Sequence, residues 1–72
     1  MANILALRQT AVCSRYDMAD RAQVSRFRAW LIESGRVRSS PEEETALRRA
    51  LVNILQEREN RFYTLLLEQE TT

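Results

Sequence analysis

Histidine and lysine are absent from this 72-residue chain, and cysteine, glycine, proline and tryptophan each occur once. Without histidine there is no imidazole to serve as general base, and none to complete a zinc set around Cys13. One cysteine cannot close an internal disulfide, so the chain is expected to be metal-free and intracellular, with Cys13 a small apolar core residue. The longest apolar runs are far too short to cross a bilayer, and the N-terminus has neither the basic region nor the apolar stretch of a signal peptide. A cytoplasmic protein that avoids membranes is the expectation. No glycine-rich phosphate loop is present, and the adjacent Glu42, Glu43 and Glu44 are better placed to favour a helix N-terminus than to work as paired catalytic acids. An enzyme is therefore the poorest of the readings, and no cofactor is implied.

What is present is charge, unevenly distributed. The net charge is only +1, and all eleven cations are arginine. Residues 1–38 carry Arg8, Arg15, Arg21, Arg26, Arg28, Arg36 and Arg38 against Asp17, Asp20 and Glu33. The remainder carries seven glutamates against four arginines. Such asymmetry suits a domain that meets phosphate with its first half and something else with its second, although ordinary surface charge also accounts for it. At this length one domain is expected, near the lower limit at which an apolar core suffices without disulfides or metal, so a partner subunit would help.

The apolar pattern is helical throughout. Ile4, Leu7 and Ala11 predict a first short helix over residues 3–11. Ser14 can cap a second, in which Met18, Ala19 and Ala22 share a face and Asp17 favours the helix dipole. Gln23 and Val24 form a turn, Ser25 caps a third helix with Ala29 and Ile32 facing inward, and Gly35 ends it. A basic loop follows, from Arg36 to Ser39. Ser40, Pro41 and Glu43 then make the strongest local signal in the chain, a serine cap with proline at the first helical position and a glutamate three residues after the serine. The long helix starting there carries Leu47, Leu51, Ile54 or Leu55, Phe62, Leu65 and Leu66, with a polar stretch at Asn53 and from Glu57 to Arg61 where it could bend or end. No strand pattern, repeat or low-complexity segment occurs. The fold expected is all-α, with four or five helices and an extended C-terminal one.

The order Leu7-Arg8, Ser14-Arg15, Met18-Ala19, Ala22-Gln23-Val24-Ser25, Ile32-Glu33-Ser34-Gly35, Arg36, Arg38, Ser40-Pro41-Glu42 resembles, without a gap, the phage repressor and Cro-type helix-turn-helix family of the XRE class. The likeness covers about residues 4 to 55. It implies a compact lambda-repressor-like domain over residues 1–55 and a helical extension over 56–72. It further implies an Arg8–Glu33 ion pair between the first and third helices, and a phosphate contact from Arg15 where the family usually has glutamine. Arg36 and Arg38 would reach flanking phosphates, and the exposed face of the third helix would read bases in the major groove of double-stranded DNA. On that face Arg26 can donate two hydrogen bonds to guanine, Phe27 can meet a thymine methyl, Arg28 can reach a base or a phosphate, and Ser25 and Leu31 lie alongside.

Two departures stand out. Gln23 occupies the turn position where the family usually has glycine, which is costly if φ is positive there. Phe27, Trp30 and Leu31 make the third helix unusually apolar for a groove reader; they mark a protein interface, or Trp30 packs on the fourth helix as core. Beyond the motif, Phe62, Tyr63, Leu65, Leu66 and Leu67 are too many apolar groups for a solvated tail. They either fold back over the core or, the favoured reading, form a dimer interface through Phe62, Tyr63 and Leu66. The function expected is a transcriptional regulator that binds an inverted-repeat operator as a homodimer and blocks or recruits RNA polymerase. The alternative is a protein-binding module on the same scaffold, such as a phage-encoded inhibitor of a host enzyme.

Overall fold

The computed structural model describes residues 3–70, with side chains to Gln69. Met1, Ala2, Thr71 and Thr72, the outer ends of the two segments 1–55 and 56–72, lie outside the described residues. The chain forms four helices, α1 (Ile4–Ala11), α2 (Arg15–Ala22), α3 (Arg26–Glu33) and α4 (Pro41–Glu70), and no strand occurs among the described residues.

Each short helix begins at a side-chain cap that satisfies an otherwise unpaired backbone N–H. Asn3 Oδ1 accepts from Ala6 N at 2.8 Å, Ser14 Oγ from Asp17 N at 3.0 Å, and Ser25 Oγ from Arg28 N at 2.9 Å. The α4 cap is reciprocal: Glu43 N donates to Ser40 Oγ at 3.1 Å and Ser40 N donates to Glu43 Oε1 at 2.9 Å. The first two helices end in left-handed residues that are not glycine, Val12 (φ 54°) and Gln23 (φ 58°). Their neighbours turn back onto the last turn, Cys13 N donating to Arg8 O and Val24 N to Ala19 O. The cost foreseen for Gln23 is therefore present, and a second position like it, Val12, is β-branched and carries no signal in the sequence. Gly35 takes φ +77° just after α3, where Arg36 N closes onto Leu31 O at 3.0 Å.

The core lies where α1 and α2 pack on the first half of α4. Ile4, Ala11, Met18, Leu47, Ala50 and Leu51 form one buried cluster, with Leu7, Cys13, Ala22, Val24 and Ile32 packed against it. Met18 and Leu47 are its largest fully enclosed side chains. Ala19 of α2 and Ala29 of α3 are fully buried, small side chains that let these two helices approach closely.

Burial on α4 stops at Ile54, and every described side chain from Leu55 to Gln69 is exposed. The helix does not bend or end at its polar stretch; it runs on for 30 residues, about 45 Å at 1.5 Å per residue, and sets the 52 Å long axis of the molecule. The tail thus does not fold back over the core. Arg58 fastens the start of this extension to α1: its guanidinium donates to Ala11 O and, at 2.7 Å, to Val12 O, the carbonyls left open at the end of that helix. No helix among the described residues is long and apolar enough to cross a membrane.

Candidate nucleic-acid interface

The turn between α2 and α3 places Ser25 at the surface as the cap of α3, so the first residues of that helix project outward. Arg26 and Phe27 are exposed, Phe27 to 68%. Arg26 lies over the Tyr16 ring of α2, 4.7 Å from its centroid, and donates to both Asp20 oxygens at 3.2 and 2.8 Å. That fork of hydrogen bonds holds the Asp20 carboxyl below its ordinary range and raises the Arg26 pKa. Both partners are more than half exposed, so the pair is screened and weak enough for a phosphate or a guanine edge to compete for the guanidinium. Tyr16 was not among the residues singled out from sequence; its only signal was its place in the first turn of α2, next to Arg15.

Farther along α3, Phe27 and Trp30 stack with centroids 5.9 Å apart and an interplanar angle of 25°. The Arg36 guanidinium caps the stack, 5.0 Å from the Trp30 centroid. Trp30 and Leu31 are half-buried, and Arg38 is exposed on the loop that follows.

Arg28 is directed elsewhere. Its Nε and Nη2 donate to the two Glu43 oxygens at 2.7 and 2.9 Å, and Nη2 also donates to Arg38 O. Through Arg28, α3 is tied to the end of the basic loop and to the capping box of α4. The Arg28 hydrogen bonds, with the Ser40 N–H, bring the Glu43 carboxyl down to about 2. Arg28 is thus bonded toward α4 and Leu31 is half-buried, while Ser25, Arg26 and Phe27 share the open surface, Ser25 as the cap of α3 and Arg26 paired with Asp20.

Behind this surface, Arg8 of α1 reaches the end of α3. Its Nε donates to Glu33 Oε2 at 2.5 Å and its Nη2 to Oε1 at 3.1 Å, while Nη1 donates to Cys13 O at 2.9 Å. The Glu33 side chain is only 4% exposed. Arg15, the first residue of α2, approaches the same carboxylate less closely, at 3.7 Å, with its side chain 30% exposed. The structure thus brings Arg8, Arg15 and Glu33 together and leaves Arg15 the looser of the two cations.

The lopsided charge of the sequence is partly neutralised within the fold. Arg21 pairs with Asp17 and with Glu57 of α4, and Arg28 pairs with Glu43. Burial raises the pKa of Cys13, which keeps it a thiol. No group of three or more metal-ligating side chains occurs among the described residues. Phe62, Tyr63 and Leu66 lie outside this surface, exposed on the free half of α4. No family model, curated protein or solved structure matches the chain.

Proposed function

We propose that this protein is a DNA-binding regulator of the lambda-repressor-like helix-turn-helix kind, acting as a homodimer on an inverted-repeat operator in the cytoplasm. The observation that supports it best is the surface at the start of α3. A serine-capped helix presents Ser25, Arg26 and Phe27 outward beside Tyr16, with Arg15 at the start of α2 and Arg36 and Arg38 past the end of α3. In this reading α3 enters the major groove by its N-terminal half. Arg26 leaves Asp20 to donate its fork to a guanine, and Phe27 packs on a thymine methyl. Arg15, Arg36 and Arg38 contact phosphates, and Arg28 holds the helix in place through Glu43. No step is catalytic, and control comes from protein concentration and dimerisation, with RNA polymerase excluded from or recruited to the promoter.

Three phosphate-contacting arginines per subunit make six per dimer, so log K should fall with log salt with a slope of about −5. The test is selection of bound sites from a randomised duplex library at two salt concentrations. A two-fold-symmetric consensus with that salt dependence is the expected result; enrichment without a consensus would overturn the reading.

One observation favours a second reading. The Phe27 and Trp30 stack under Arg36 is a rigid aromatic and cationic patch of the composition found at the centres of protein interfaces. Under that reading the protein grips another protein through α3, and it forms a stable complex with that partner while showing no preference among duplexes.

A further inference from the structure

Between α1 and α4 lies an open, largely apolar groove of about 630 Å³. Its walls are Leu7, Thr10, Ala11, Leu51, Val52 and Leu55, and Arg48 also lines it. Val52 is 51% and Leu55 47% exposed, so nothing among the described residues covers it. The same face of α4 continues beyond the core. Leu51, Leu55, Phe62 and Leu66 follow at spacings of four, seven and four residues, one side of a helix, with Arg58 the polar member between them. Phe62, Leu65 and Leu66 are 62%, 53% and 41% exposed.

We propose that the groove is filled by the C-terminal half of α4 from a second copy of this chain, the two α4 helices running antiparallel so that each tail lies in the other's groove. This deepens the dimer half of the functional reading above and requires nothing of its DNA half. Groove and stripe occupy one face of one helix at opposite ends, so a two-fold axis across α4 between Arg58 and Glu59 brings both halves together twice at once. That is the self-complementarity an isologous interface needs. The lengths agree: the stretch from Arg48 to Leu55 and the stretch from Phe62 to Gln69 are each about 10 Å long. In that register Leu55 meets Phe62 of the second copy, and Leu66 comes against Val52, beside the buried Leu51. Charge is compatible with this register: Arg58, held to the end of α1, comes across from Glu59 near the axis, and the acidic end at Glu68 approaches Arg48, which pairs with Glu44 in its own chain. A stable interface needs roughly 800 Å² per partner, which the two symmetric contacts would have to bury between them.

Light scattering of the full chain over a concentration series should give a dimer. Val52→Glu and Phe62→Glu, both at exposed positions, should each raise its dissociation constant by roughly tenfold or more without loss of helix signal. In a Cys13→Ser background, Val52→Cys and Leu66→Cys chains of different tagged mass, both substituted at exposed positions, should form a mixed disulfide on combination, whereas Leu66→Cys alone should not link to itself. A chain that stays monomeric, a dimer indifferent to Val52→Glu, or self-linking at Leu66→Cys would overturn the proposal. A monomer that still selects a DNA half-site removes this assembly and spares the DNA reading. The mixed disulfide in a protein that selects no duplex keeps the assembly and removes the DNA reading.

Discussion

Replacing Arg8 with methionine would leave the Glu33 carboxylate almost without water and almost without a partner. The side chain is 4% exposed, both its oxygens are held by Arg8, and the nearest other cation, Arg15, is 3.7 Å away. Removing one member of a buried pair costs several kcal/mol because the remaining charge stays desolvated. Arg8 is itself 18% exposed, so water can enter where the guanidinium was, and Arg15 can close part of the gap. A loss of about 2 to 3 kcal/mol is therefore expected for Arg8→Met. In a domain of this size that lowers the melting temperature by roughly 10 to 20 °C. The Arg8→Met/Glu33→Leu double variant removes both charges and should recover most of the loss. Thermal and urea unfolding followed by circular dichroism, at matched protein concentration, measures both. An Arg8→Met protein within about 0.5 kcal/mol of the parent, or a double variant no better than the single, would refute the argument that burial of the carboxylate makes the pair costly to break.

Val12→Gly should raise the melting temperature by several degrees. It relieves a β-branched residue of its left-handed conformation and sacrifices no packing, since Val12 is 77% exposed; an unchanged or lower value in the melting curve would show that no strain resides there. Glu43 has its pKa lowered in the folded state, from an ordinary 4.5 to about 2, so its contribution to stability is complete above the unfolded value and is lost as pH falls from 4.5 toward 2. Urea midpoints across that range should drop in the parent and drop less steeply in Glu43→Gln; equal slopes would exclude Glu43 as a source of acid sensitivity. Under the proposed DNA-binding function, Arg26→Ala should abolish preference for one operator base and keep most nonspecific affinity in competition binding, whereas an equal loss on every duplex would assign Arg26 to phosphate contact.

The elements of this fold depend on interactions between near neighbours in the chain, and those were legible. Ser14, Ser25 and the Ser40, Pro41 and Glu43 box announce where α2, α3 and α4 begin, because a cap reaches only two or three residues along the backbone. The spacing of Met18 and Ala22 in α2, and of Leu47 and Leu51 in α4, marked the core for the same reason: helical period alone puts each pair on one face of its own helix. Gln23 could be flagged because a resemblance supplied a glycine to compare it with; Val12, with no such reference, could not.

What the sequence by itself determined about this protein is its all-helical character, the starts of its helices and the faces they bury. Tertiary structure alone decided where the long side chains go. Arg26 could have pointed at solvent, but the turn between α2 and α3 sets Asp20 and Tyr16 beside it; Arg28 was as good a base reader in one dimension, but the approach of α4 offers it Glu43 and Arg38 O. Nor could the polar run from Glu57 to Arg61 show that α4 continues through it. There Arg21 and the open carbonyls of Ala11 and Val12, far away in the chain, receive Glu57 and Arg58. An arginine has five donors on a long flexible stem, so its partner depends on which acceptors the packed helices bring within reach, and that is a property of the assembled fold.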